Sequence, residues 1–128
     1  MGAISQEIET ANLLIFSEID KKIKNGINIL TKISKKSMEK QDQIELYNAK
    51  GIGYYFLNDN KSYVWFNKVR KLDPQNSTSL HYLGHIQYDN GKLEKAKEYF
   101  RDYLEIIPDD SHILAQLGMV NYYLDEEQ

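Results

Sequence analysis

Histidine is the residue type in this chain best suited to chemistry, and there are three of them. His81 and His85 stand four positions apart, which on a helix puts both imidazoles on one face. His112 follows later in the chain. Three imidazoles have two uses: they can ligate zinc or copper, or they can titrate near pH 6 to 7 and make a partner's affinity depend on pH. Metalloprotease chemistry is not open to them. Tyr82, Leu83 and Gly84 fill the gap where a His-Glu-x-x-His motif would carry its general base. We expect peptide contacts rather than a metal. No other constellation gathers. Gly51-Ile52-Gly53 lies inside a helical pattern with no strand before it, so it is not a phosphate loop. The absence of cysteine excludes thiol catalysis, thiolate metal sites and disulfides, and fits a reducing compartment. The expectation is a protein without catalytic residues, metal or cofactor.

Composition narrows the class further. The 128 residues suffice for one domain with its own core, and 41% apolar with 27% charged residues suits a soluble globular chain. A net charge of −3 argues against nucleic acid, since phosphate contact needs a basic surface. No apolar run approaches a membrane span of ~18 residues. Glu7 and Glu9 interrupt any signal-peptide core. Met1-Gly2 opens like a myristoylation site, but Gln6 stands where Ser or Thr is wanted. A cytoplasmic protein, or a domain of one, is expected, with no membrane association.

The elements that must position these side chains recur at a fixed interval. Leu80, Leu83, Gly84 and Tyr88 are matched 34 positions later by Leu114, Leu117, Gly118 and Tyr122. Phe100 and Pro108 are matched 34 positions earlier by Phe66 and Pro74. Six matches at one period mark an internal repeat. The spacing predicts a helix over 77–90 capped by Ser77 and ended by Gly91, where glycine takes a left-handed conformation at little cost. A second covers 93–106 with Ala96, Phe100, Tyr103 and Leu104 inward, stopped by Pro108. A third covers 111–124 and opens at Ser111. Before these, 61–72 reads as a helix with Trp65, Phe66, Val69 and Leu72 inward, closed by Asp73-Pro74.

The helix over 43–57 admits two registers. A strict 34-residue shift puts Ala49 and Lys50 on the positions of Leu83 and Gly84. One residue fewer in the Asn58-Asp59-Asn60 turn puts Tyr47 and Gly51 on the positions of Leu80 and Gly84, which we prefer because glycine then sits at the helix crossing. Further back, Ile4, Ile8, Ala11, Leu14 and Ile15 form one helical face, and Ile19, Ile23, Ile27, Leu30 and Ile33 another. Ser17 or Asp20 would cap the second of these, with Gly26 and Leu30 at its small and large positions. Seven helices result.

The stretch Leu80-x-x-Leu83-Gly84, Tyr88, Gly91, Ala96-x-x-x-Phe100, Pro108 resembles the tetratricopeptide (TPR) repeat. The resemblance is closest over 61–124, looser over 43–60 and slight before that. It implies an all-α, right-handed superhelix of antiparallel helix hairpins, about three repeats plus an extra helix. The whole of 1–128 would be one domain, with a divergent hairpin over 4–40, hairpins over 43–74 and 77–108, and a terminal helix over 111–124. It further implies a protein–protein interaction scaffold whose first helices line a concave groove. On that pattern the partner-binding residues would be Asn48 and Tyr55; His81, Tyr82, His85 and Tyr88; and His112, Gln116, Met119, Tyr122 and Tyr123. Tyr88 and Tyr122 have a second reading, as packing between neighbouring hairpins. The Lys and Asn clamp by which some co-chaperone TPR domains grip a terminal carboxylate is absent: His81, His85, Ala115 and Met119 stand at those positions.

Charge supplies an alternative. Lys21, Lys22, Lys24, Lys32, Lys35, Lys36 and Lys40 crowd one end of the sequence, and Asp109, Asp110, Asp125, Glu126 and Glu127 the other. Either these are solvated helix faces, or the chain is a self-assembling subunit that stacks end to end. Ile113, Leu114, Leu117, Val120 and Leu124 offer apolar surface for such a contact.

Overall fold

The structure, a computed structural model, describes residues 3–15, 20–33 and 38–126. Seven helices and no strand occur among them: α1 (Ala3–Ile15), α2 (Asp20–Ile33), α3 (Lys40–Phe56), α4 (Lys61–Leu72), α5 (Ser77–Asp89), α6 (Leu93–Ile106) and α7 (Ser111–Glu126). Packing divides the chain into two compact units, residues 1–73 and 74–128.

In the first unit α1 pairs with α2 and α3 with α4, while α3 also packs on α1 and α2. Ile8, Ala11 and Ile15 of α1 and Ile23, Ile27, Leu30 and Ile33 of α2 are buried, so both predicted faces point inward. Gly26 admits α1 at close range: a Cβ there would lie 2.8 Å from the Ala11 carbonyl oxygen. Leu13 stands out on the other side of α1, 73% exposed. Ser17, Ile19, Lys35 and Lys36 lie outside the described residues.

Packing decides between the two registers of α3. A Cβ on Gly51 would meet the Phe66 ring at 2.7 Å, and one on Gly84 would meet the Phe100 ring at 2.4 Å. The two glycines do the same job, each admitting a fully buried phenyl ring from the following helix. The turns agree. Asn58 and Gly91 each follow their helix in the left-handed region, at φ 56° and 75°. Each is followed by the same six-residue hydrogen bond, Asp59 N–H to Tyr54 O at 2.9 Å and Lys92 N–H to Gln87 O at 2.9 Å. Asparagine tolerates this conformation better than other side chains. Asn58 and Asp59 keep the 33-residue offset that Gly51 sets and Phe66 has the full 34, so the residue missing from the first unit lies between Asp59 and Phe66, where the turn enters α4.

In the second unit α6 packs on both α5 and α7. Its core contains Leu80, Ala96, Phe100, Tyr103, Ile113 and Val120. Two caps differ from expectation. Asn76, not Ser77, caps α5: its Oδ1 accepts from Ser79 N–H at 3.0 Å. Asp110 does the same for α7, its Oδ1 accepting from His112 N–H at 3.1 Å and Ile113 N–H at 3.2 Å. An uncommitted side-chain oxygen just ahead of the first helical residue reaches those orphan donors, whereas Ser77 and Ser111 already lie inside the helix. Trp65 also departs from expectation. It is half-buried beside two lysines, while Phe66 and Val69 fill the core.

Candidate functional site

The three histidines come together in the second unit. α5 carries His81 and His85 one turn apart with ring centroids 4.6 Å apart, edge to face. α7 brings His112 to His85, with the rings stacked at 5.7 Å. Beneath them lie two core rings of α6, Tyr103 at 5.6 Å from His81 and Phe100 at 5.2 Å from His85. Tyr82 adds an edge contact to His81 at 5.0 Å. The result is an aromatic floor made by α5 and α7 over the α6 core.

Burial sets the protonation of this floor. Desolvation, and then the neighbouring His81 and His112, depress His85 to about 4. Desolvation lowers His81 as well, partly offset by the Asp110 carboxylate. Both rings are thus neutral donor–acceptor groups at pH 7, and His85 titrates well below the window of free imidazole. The Tyr82 hydroxyl is pushed up by burial. Ring-on-ring packing does not converge nitrogens on a point. Among the described residues no group of three His, Cys, Asp or Glu is arranged to hold a metal ion.

The link between Tyr103 and Asp110 escaped the sequence reading, although Tyr103 was expected inward. The Tyr103 hydroxyl donates to Asp110 Oδ2 at 2.6 Å, joining the end of α6 to the start of α7. Burial, followed by that hydrogen bond and the carboxylate charge, raises the phenol to about 12. The Asp110 carboxyl is lowered, first by the Tyr103 hydroxyl and then by the Ile113 N–H. The signal was present: Asp110 lies 34 residues after Asn76, so the repeat carries the cap forward.

The other sequence-predicted residues disperse. His112 is exposed and Gln116 half-buried on α7, while Met119, Tyr122 and Tyr123 are exposed, Tyr122 at 58%. Tyr88 instead packs against the core, so the two equivalent tyrosines have opposite fates. Asn48 and Tyr55 belong to the first unit; both are half-buried, and the Tyr55 ring lies 5.9 Å from that of Phe56. The apolar surface expected on α7 is smaller than its sequence suggested. Ile113 and Val120 are fully buried and Leu117 and Leu124 lean on the core, which leaves Leu114 exposed at 49%. Lys21, Lys22, Lys24, Lys32 and Lys40 are exposed, as are Asp109 and Asp125.

Comparison with known proteins fits this geometry. Residues 77–110 match the tetratricopeptide repeat model. No curated protein sequence matches the chain. Among solved structures, the C-terminal TPR-containing domain of a Plasmodium falciparum protein described as FK506-binding superposes with a TM-score of 0.71. It is 18% identical, over 98% of this chain and 95% of that one. The fold is therefore an all-α helical repeat of the TPR kind, and such repeats generally mediate protein–protein interaction without catalysis. No described helix is long and apolar enough to cross a membrane.

Proposed function

We propose that this protein is a non-catalytic interaction scaffold that binds a peptide or a partner helix across the face of α5 and α7. The observation that carries this reading is the continuous His81–His85–His112 ring cluster joining the two helices. Side chains with an apolar body and a polar tip, already held by packing, bind with little further ordering cost. Tyr82 touches His81 in that cluster; Tyr88, Gln116, Met119, Tyr122 and Tyr123 enter the proposal through their repeat positions alone. In the first unit Asn48 and Tyr55 hold the repeat positions of His81 and Tyr88, and we assign them to that unit's own partner contact. A cytoplasmic setting fits the cysteine-free sequence.

The test is selection of peptides from a random library on the intact chain, followed by affinity measurement on the His85→Ala, Tyr123→Ala double variant. Loss of at least about tenfold, or ~1.4 kcal/mol, with an unchanged circular dichroism spectrum, is expected. Equal affinity for both proteins would dispose of the reading. Exposed Leu114, Met119 and Tyr122 favour a second possibility, end-to-end self-assembly. Salt-sensitive oligomers in light scattering would support it, and a salt-indifferent monomer would return the case to the α5–α7 face.

A further inference from the structure

One position on α3 breaks the repeat pattern. With the register fixed by Gly51, Lys50 occupies the place of Leu83 on α5 and Leu117 on α7. A lysine stands where the pattern buries leucine, and it is only 5% exposed. Its ammonium lies 4.3 Å from the centre of the Trp65 ring on α4. A second ammonium, that of exposed Lys68, lies 4.5 Å from the same ring and 5.8 Å from Tyr47. Tyr47 and Trp65 complete the group, their rings 5.6 Å apart and tilted by 41°.

Neither ammonium has a carboxylate partner among the described residues. Burying the Lys50 ammonium without a carboxylate is unfavourable, and the exposed Lys68 ammonium on the same indole repels it. Contact with the ring offsets part of that cost. Burial and Lys68 both lower the Lys50 ammonium's affinity for its proton. Two ammonium groups and two aromatic rings thus gather on one hairpin, with positive charge and apolar surface side by side.

We propose that Tyr47, Lys50, Trp65 and Lys68 form a second binding site, distinct from the α5–α7 face, that takes an acidic peptide segment. Its carboxylates pair with Lys50 and Lys68, and its apolar side chains lie on Trp65 and Tyr47. A carboxylate-bearing peptide suits the site better than a nucleic acid. Two isolated lysines do not make a basic track for a phosphate backbone. The tilted ring pair offers no parallel platform for successive bases.

Trp65 is the only tryptophan in the chain, so emission excited selectively at the indole, beyond the absorption of the ten tyrosines, reports on this site alone. Hexaglutamate titrated at low salt into the intact protein should change that emission saturably, and hexalysine should not. The Lys50→Met, Lys68→Gln variant should bind at least about tenfold more weakly. Should the double variant fail to fold, Lys68→Gln alone serves, because the side chain is exposed. His85→Ala should leave the titration unchanged, which separates this site from the α5–α7 face. An absent change, or an undiminished one in the lysine variants, would overturn the proposal. Saturable binding of oligouridylate tighter than that of hexaglutamate would overturn it in favour of nucleic acid.

Discussion

Gly84 and Gly118 occupy the same repeat position in α5 and α7, 34 residues apart, yet their surroundings are opposite. A Cβ at Gly84 would strike Phe100 Cε1 at 2.4 Å, whereas one at Gly118 would find nothing within 4 Å. Glycine at this position is thus not a requirement of the helix that carries it. It is a requirement of the next helix, whose phenyl ring fills the space. α5 has such a neighbour in α6, and in the first unit Gly51 of α3 has one in Phe66 of α4. α7 keeps the residue type without the described ring that would need it. A repeat signature therefore specifies half of an interface, and the other half must come from elsewhere.

The largest effect expected from this contrast is at Gly84. Gly84→Ala gains helix propensity of ~1 kcal/mol but drives a methyl into a fully buried ring with no room to move. Overpacking of this kind costs about 1–3 kcal/mol, so a net loss of stability is expected in chemical denaturation. Gly51→Ala should behave alike, its Cβ meeting Phe66 at 2.7 Å. If either substitution stabilised the protein, the equivalence of the two hairpins would fail.

A smaller effect comes from acid, and it acts on the closed side of the comparison, where α7 meets α5. His85 has an ordinary value of 6.5 and is depressed to about 4 by burial and by His81 and His112. The unfolded chain therefore takes up this proton first as pH falls. Stability is full above pH 6.5, declines between 6.5 and 4, and levels off below. With solvent screening the decline is on the order of 1 kcal/mol. Asp110, lowered by Tyr103 and the α7 backbone, adds its own loss only below its ordinary 3.8. Thermal melts across this range should fall more steeply for the native chain than for His85→Gln. Parallel curves would show that the ring cluster is not what responds.

Much of the fold was legible because it is periodic. Leu80, Leu83, Gly84, Ala96 and Phe100 announce a hairpin by spacing and size alone, and the same rule placed Gly51 against Phe66 one residue off the strict period. Caps were less legible, since Asn76 and Ser77, or Asp110 and Ser111, are chemically equivalent candidates and only geometry separates them. The histidine cluster was half legible. Four-residue spacing joined His81 to His85 and the repeat set His112 on the same face, but the stacking itself depends on how α6 carries α7 back. Lys50 was not legible at all. Nothing local marks a lysine in a leucine position as buried until the ring of Trp65 is seen beside it.

The smallest effect should carry the opposite sign. Gly118→Ala removes backbone freedom from the unfolded chain and adds a methyl that meets no other atom. The gain expected is under about 1 kcal/mol, the ordinary advantage of alanine over glycine inside a helix. Stabilisation at Gly118 against destabilisation at Gly84, measured in the same denaturant, would establish that the repeat position is neutral until a ring arrives. A loss at Gly118 comparable to that at Gly84 would mean that another chain occupies the α7 face in solution. Dilution would then reveal it, because a loss owed to a second copy shrinks as the copies separate.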